Sequence, residues 1–142
     1  MGTIQFSNNE VSPDIKDKLK LKLFLINIFK DERVDFKKVT YIFCKDDYLL
    51  RLNKKYLDHN TFTDIITFTL SDKFQSIISE IYISIDRVKE NAANLKVEYE
   101  EELRRVMIHG ILHLCGFSDH TPEKKREMRK MEDFYLSKYS ST

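Results

Sequence analysis

Scarce residue types exclude several classes of protein at once. The chain contains no tryptophan, three glycines, two prolines and two cysteines among 142 residues. The widely separated Cys44 and Cys115 favour core thiols in a reducing cytoplasm over the disulfide framework of a small secreted protein. No segment approaches the roughly 20 apolar residues that a membrane span needs, and no apolar run follows basic residues at the N-terminus. We therefore expect a cytoplasmic chain without a membrane partner.

An excess of charge of one sign is also lacking. The 24 basic and 23 acidic residues leave a net charge of +1, so nothing global marks a nucleic-acid binder and any basic surface must be local. With 42% hydrophobic and 33% charged residues, the composition is that of a soluble globular protein. The length suits one domain with a real core, which we predict over residues 1–142.

Histidines, by contrast, are concentrated near the C-terminal end. His109 and His113 are four residues apart, so on an α-helix both imidazoles leave one face, at the spacing of a helical zinc site. Gly116 predicts a helix end at positive φ, after which Asp119 or His120 can reach the same point. A pair of core histidines is the alternative, but this order matches the zinc-binding spacing H-x-x-x-H-x-x-G-x-x-[H/D]. Three ligands leave a fourth position open, which is typical of catalytic zinc.

The residue after the first of these histidines argues against an ordinary zinc peptidase. In H-E-x-x-H enzymes a glutamate at this position is the general base, and here the position is Gly110. Glycine inside a helix costs about 1 kcal/mol relative to alanine. Its presence indicates either close packing or the close approach of a substrate to the backbone.

Hydrophobic periodicity predicts strands in the first half of the chain and mostly helices in the second. We predict strands at residues 3–6, 38–44, 65–70 and 80–85. Helices are predicted from a Ser12 cap to about residue 30, from an Asp46 cap through residue 56, from Ser84 or Asp86 to 94, over 98–115, and after Thr121-Pro122. The first helix should bury the stripe Ile15, Leu19, Leu23 and Ile26 with Leu21, Leu25 and Phe29, and the second should bury Leu49, Leu52 and Tyr56. The order favours an α+β fold with a small mixed four-stranded sheet packed with helices.

Two blocks of the sequence correspond to a known pair of signatures. Residues 109–117 read His-Gly-Ile-Leu-His-Leu-Cys-Gly-Phe; residues 52–56 read Leu-Asn-Lys-Lys-Tyr, and residues 63–68 read Thr-Asp-Ile-Ile-Thr-Phe. In this order they resemble the H-G-x-L-H-L-x-G-[YF]-D-H and L-N-x-x-Y-R-x-x-D-x-P-T-[DN]-V-L-S-F signatures of the bacterial YbeY family, metal-dependent single-strand-specific endoribonucleases. The resemblance covers most of the chain. It implies one sheet of about four strands and a long central helix that carries the metal ligands.

The resemblance also implies a function and partners. It implies a single-strand-specific endoribonuclease that acts in ribosomal RNA maturation, at the 3′ end of the small-subunit rRNA, and in ribosome quality control. RNA, in particular ribosomal RNA, would be the substrate, and the ribosome or ribosomal proteins would be further partners. One zinc ion would activate water, because histidine-rich ligation favours zinc over magnesium. No side chain is assigned as the catalytic base, and the nucleophile is either water or the 2′-hydroxyl of the RNA.

Departures from the family pattern concern the third ligand and one cation. The register of the family's third histidine falls on Asp119, with His120 one residue later. We predict His109, His113 and Asp119 as the ligands, because zinc accepts a carboxylate and no insertion is needed; a one-residue insertion would make His120 the ligand instead. Leu57 stands at the family's arginine, and Phe62 stands at its proline.

The polar loop at residues 57–64 is placed beside the metal by the resemblance. Lys54, His59, Thr63 and Asp64 are the predicted substrate-binding residues, and Lys54, Lys55 or His59 could supply the cation that is absent at position 57. The alternative is a polar turn in which Thr63 or Asp64 hydrogen-bonds the backbone. The basic residues of the last helix are predicted to be a solvated face, with RNA contact as the alternative: Lys124, Lys125, Arg126, Arg129 and Lys130.

Two other classes of function stay open at this point. One is a zinc hydrolase of peptides or small molecules, which Gly110 disfavours. The other is a ribosome-associated binding module in which a structural metal only joins the helix to the following loop.

Overall fold

A mixed sheet and five helices form the part of the chain that the structure describes. The computed structural model describes residues 2–58, 63–72 and 75–141. Its elements, in chain order, are β1 (Thr3–Asn8), α1 (Lys18–Asp31), β2 (Phe36–Cys44), α2 (Asp46–Leu57), β3 (Ile65–Thr69), β4 (Ile77–Ser84), α3 (Ile85–Leu95), α4 (Tyr99–Leu114) and α5 (Pro122–Ser140). The four strands are ordered β1-β2-β4-β3. β1, β2 and β4 are parallel, and β3 runs antiparallel to β4. The predicted α+β fold with a small mixed sheet is confirmed.

The centre of the sheet is covered by apolar packing. Val39, Tyr41 and Phe43 alternate along β2 and are fully buried, as are Ile81 and Ile83 on β4. Alternation places these side chains on one face of the sheet, where α1 and α4 pack. This packing holds α4 at a defined height above β2 and β4.

Helix α4 is the central helix, and it lies close to the sheet. The hydroxyl of Tyr41 donates a 2.7 Å hydrogen bond to the carbonyl oxygen of Met107. A Cβ atom at Gly110 would lie 3.0 Å from Cδ1 of Ile81 and 3.2 Å from Cδ1 of Ile65. Of the two explanations that the sequence left open for this glycine, the structure therefore supports close packing.

The predicted start of the first helix is wrong, and its predicted buried stripe is confirmed only for Leu21, Leu25 and Phe29. Asp14 has a φ of 54°, a left-handed conformation that no helix residue adopts. Ser12 Oγ instead accepts a 3.2 Å hydrogen bond from the Asp14 amide, and Asp17 caps the helix by accepting from the Lys20 amide. Leu19 and Leu23 lie on the opposite side of the helix from the buried residues and are 68% and 53% exposed. The buried residues are Leu21, Phe24, Leu25, Ile28 and Phe29.

The other elements lie close to their predicted bounds, with three local corrections. β4 begins at Ile77 rather than at residue 80, and Tyr56 on α2 is 58% exposed. The predicted Asp46 cap is wrong, because α2 begins at Asp46 and Lys45 is its N-cap. The other two caps are confirmed: Ser84 accepts from the Arg87 amide and Thr121 accepts from the Lys124 amide. Within the described ranges, none of the helices has the length and apolar character required to cross a membrane.

Candidate active-site cleft

A cleft of about 740 Å³ opens beside the second half of α4. Four parts of the chain line it: the end of α2, residues 63–67 at the start of β3, one side of α4, and one side of α5 with the loop before it. The predicted site residues that reach this cleft are His109, His113, Asp119, Thr63 and Asp64, together with His120 and Leu57. Segments far apart in the sequence therefore meet at one concave surface, which is the usual form of an active site.

Helix geometry brings the two histidines to the cleft. His109 and His113 lie one turn apart on α4 and both line it. The helix ends at Leu114, and Gly116 has a φ of 103°, which confirms the predicted residue at positive φ. The turn directs the following loop back, so that Oδ2 of Asp119 lies 3.8 Å from Nε2 of His109. His120 is exposed and lines the same cleft.

A buried carboxylate holds His109 from behind. Oε2 of Glu132 lies 2.7 Å from Nδ1 of His109, and Oε1 of Glu132 lies 3.1 Å from the guanidinium of Arg105. The glutamate is only 5% exposed. A carboxylate that accepts the Nδ1 proton fixes the tautomer in which the Nε2 lone pair is free, as in the carboxylate–histidine pairs behind zinc ligands.

Sequence reasoning missed both Glu132 and Arg105. The signal for Glu132 was present in the helical phase of α5, because Met128 and Tyr135, four residues before it and three after it, are buried. An acidic residue on the buried face of a helix requires a partner. No comparable local signal pointed to Arg105.

The pKa values of the two histidines are shifted in opposite directions. Burial alone would lower the pKa of His109, but the hydrogen bond and charge of Glu132, together with Asp119 and Asp64, raise it above its usual value. Burial and the neighbouring His109 lower the pKa of His113. His113 is therefore neutral at neutral pH, which is the form that binds metal ions.

The donor types in the cleft fit zinc. Two ligands about 2.1 Å from a shared tetrahedral ion lie about 3.4 Å apart, and the His109–Asp119 pair is 3.8 Å apart. In the described ranges, no three His, Cys, Asp or Glu side chains stand close enough to form a complete metal site. Asp119 and His113 are exposed, and exposed side chains change rotamer rapidly. The assignment of His109, His113 and Asp119 as ligands stays a prediction.

The predicted substrate-binding residues divide into three groups. Thr63 and Asp64 line the cleft, although the Thr63 hydroxyl also lies 3.4 Å from the Ile65 carbonyl, as in the alternative polar turn. Burial raises the pKa of Asp64, whose backbone carbonyl accepts from the Ser84 amide. Among the described residues that line the cleft, α2 contributes Asn53 and Leu57 but not Lys54. His59 lies outside the described residues.

Comparisons with known proteins agree on one family. A family model described as Endoribonuclease YbeY matches residues 3–140. Endoribonuclease YbeY of Cytophaga hutchinsonii is 42% identical over 135 residues, which cover 95% of this chain and 94% of that protein. Endoribonuclease YbeY of Flavobacterium psychrophilum is 43% identical over 128 residues, 89% of each chain. A solution structure from Thermotoga maritima matches with a TM-score of 0.67 and 29% identity, covering 96% of this chain and 88% of that one.

Proposed function

This chain belongs to the endoribonuclease YbeY family, and from that membership we propose that it is a zinc-dependent, single-strand-specific endoribonuclease of ribosomal RNA maturation. Membership supports a nuclease that hydrolyses RNA. One structural observation supports the placement of the reaction: α4 and the loop after it bring His109, His113 and Asp119 to the cleft that Thr63 and Asp64 line from the other side. RNA held in this cleft would lie beside the candidate zinc ligands.

The chain's own residues prepare the site for a metal ion. His109, His113 and Asp119 would hold it, with His120 as the alternative third ligand. When bound, zinc supplies polarisation of a phosphoryl oxygen and activation of water near neutral pH. Glu132 retains the proton on Nδ1 of His109 and so directs the free Nε2 toward Asp119. Arg105 compensates the buried negative charge of Glu132.

The packing of α4 disfavours a peptidase of the H-E-x-x-H type. A side chain at Gly110 would meet Ile81 and Ile65 of the sheet, so this position points away from the cleft and into the core. A glutamate at this position would have to displace both isoleucines before it could act as a general base. Chemistry that depends on metal-activated water without a carboxylate at this position is compatible with RNA hydrolysis.

The remaining parts of the proposal follow from the family alone. We propose ribosomal RNA as the substrate, with the 3′ end of the small-subunit rRNA as the site of cleavage, and a role in ribosome quality control. The ribosome or ribosomal proteins would be partners, and the cytoplasm would be the compartment.

Zinc analysis and RNA cleavage in the same preparation test this proposal. We expect the wild-type protein to cleave a single-stranded RNA and to leave a duplex of the same sequence intact. His113→Ala should lose both zinc and cleavage while retaining the fold, because His113 is exposed. Near-stoichiometric zinc in this variant would contradict the ligand assignment.

A peptide substrate and a chelator distinguish the rival functions. Cleavage of the peptide by the wild-type protein, without cleavage of RNA, would favour a zinc hydrolase of peptides. Unfolding on chelation, in a protein that cleaved no RNA before chelation, would favour a binding module with a structural metal.

A further inference from the structure

We infer that Lys125 and Arg129 of α5 form a phosphate-binding subsite for the backbone of single-stranded RNA at the mouth of the cleft. This inference rests on the proposed function and adds to it the source of the cation that Leu57 does not provide. Leu57 lines the cleft at the end of α2 and is 43% exposed. Its side of the cleft therefore presents an apolar side chain where the family pattern has an arginine.

The structure divides four basic residues of α5, from Lys125 to Lys130, into two sets. Lys125 and Arg129 line the cleft, as do Met128 and Glu132 of the same helix. At 100° per residue these four positions fall within one narrow face of α5. Arg126 and Lys130 lie on the neighbouring exposed face, outside the cleft lining. The positions of these residues around the helix, rather than their charge alone, therefore direct Lys125 and Arg129 toward the cleft.

The basic side chains that line the cleft also differ in whether they already form ion pairs. The side chain of Arg105 is only 14% exposed and pairs with Glu132 at 3.1 Å and Asp133 at 2.6 Å, so its donors are committed. Arg129 is 55% exposed and contacts Glu132 only at 3.9 Å, while Glu132 already holds Arg105 and His109. Within the described part of the chain, Lys125 forms no ion pair. Lys125 and Arg129 are therefore the cations of the cleft that are available to an incoming anion.

The distribution of charge with depth fits a phosphodiester bound beside a metal ion. Glu102 and Glu132, at the floor, are each 5% exposed, whereas Lys125 and Arg129 are exposed at the mouth. The negative groups at the floor would attract a metal cation. The positive groups at the mouth would attract the phosphates of an RNA strand that crosses the cleft over the metal ion. An extended single strand can place one phosphate near the metal and its neighbours near α5.

Two double variants with the same change in charge test the subsite. Lys125→Gln/Arg129→Gln and Arg126→Gln/Lys130→Gln each remove one lysine and one arginine from exposed positions of α5. Binding of a fluorescent single-stranded RNA is measured by anisotropy across a range of salt concentrations, and cleavage is measured as separate kcat and KM values. All assays use zinc-loaded protein, with zinc content and thermal unfolding recorded for each variant.

We expect the cleft-facing double variant to bind RNA about tenfold more weakly. Its plot of log affinity against log salt should be less steep by roughly 1.4, since each phosphate contact with a single strand contributes about 0.7. KM should rise far more than kcat falls. Arg126→Gln/Lys130→Gln should remain within about twofold of the wild-type affinity, and the charge-conserving pair Lys125→Arg/Arg129→Lys should restore the salt dependence.

Three outcomes would overturn the inference, in distinguishable ways. Equal losses in both double variants would show a diffuse electrostatic effect and no subsite, with the proposed function intact. An unchanged affinity and slope in Lys125→Gln/Arg129→Gln would also leave RNA cleavage standing and remove the subsite. A wild-type protein that neither binds nor cleaves single-stranded RNA would overturn the proposed function and the subsite together.

Discussion

The two sides of α4 are built to different requirements. The side toward the sheet carries the close contact at Gly110, and Met107 and Ile111, next to it on the helix, are fully buried. The side toward the cleft carries His109 and His113, the candidate metal ligands, and Arg105, whose donors are committed to Glu132 and Asp133. The first side fixes where the helix lies and the second determines what can bind to it. Substitutions on the sheet side should therefore affect stability, and substitutions on the cleft side should affect metal and RNA binding.

The largest effect is expected from Gly110→Glu. The new side chain must displace Ile81 and Ile65 and place a carboxylate in an apolar core without a partner. We expect a loss of at least about 3 kcal/mol in the free energy of unfolding, measured by urea denaturation. With zinc removed from both variants, His113→Ala, on the exposed side of the same helix, should change stability by less than about 0.5 kcal/mol. Similar changes in the free energy of unfolding for the two variants would contradict the proposed difference between the two sides of α4.

The next largest effect, on zinc affinity, is expected in the loop after α4 that carries Asp119 and His120. Asp119→Ala should weaken zinc binding by more than about 100-fold, because it removes a ligand rather than a group behind one. His120→Ala should change zinc affinity only slightly. Competition with a chromophoric chelator measures both. A reversed order would identify His120 as the ligand and establish a one-residue insertion relative to the family pattern.

Glu132→Gln tests the group that supports the cleft side from α5. The amide removes the negative charge behind Nδ1 of His109 and also a partner of Arg105. We expect zinc affinity to fall by about 10-fold to 100-fold, measured with the same chelator. Asp133→Asn is the matched control, since Asp133 also pairs with Arg105 but is 59% exposed and does not contact His109. Equal losses in both variants would assign the effect to Arg105 instead of to the histidine.

The smallest effect is expected across the cleft, at the end of α2. Leu57→Arg should raise kcat/KM for RNA cleavage by about tenfold at most, because an oriented cation stabilises the charge that develops on phosphate. Leu95→Arg is the matched control: Leu95 is the last residue of α3, is 52% exposed and lies outside the cleft lining. If both variants gain equally, the gain reflects overall charge; if neither gains, the position takes no part in cleavage.

Local patterns in the sequence were sufficient for most elements and for the histidine pair. The caps at Ser84 and Thr121 and the turn at Gly116 depend on neighbours within a few residues, so they could be predicted. The start of α1 could not, because nothing in Ser12-Pro13 shows that Asp14 adopts a positive φ. The apolar residues of α1 also fall on two opposite sides, and the sequence does not show that the side with Leu19 and Leu23 faces away from the core.

The parts of the site that were missed depend on tertiary contacts. Glu132 is 23 residues from His109 in the chain. The two side chains meet only because α4 and α5 pack together. The same packing separates Lys125 and Arg129 from Arg126 and Lys130, which composition cannot do. Lys54 shows the converse limit: its place in a family motif suggested a cleft residue, but it is absent from the described residues that line the cleft.

The close contact at Gly110 also limits how this scaffold can evolve. A lineage that acquired the glutamate of the zinc peptidases in one step would pass through an unstable intermediate, and selection would remove it. A smaller residue in place of Ile81 or Ile65 would have to arise first, as a permissive substitution with a cost of its own. The order of these events is therefore constrained. The lack of space for a side chain at position 110 therefore separates two classes of enzyme that share a pair of zinc-spaced histidines.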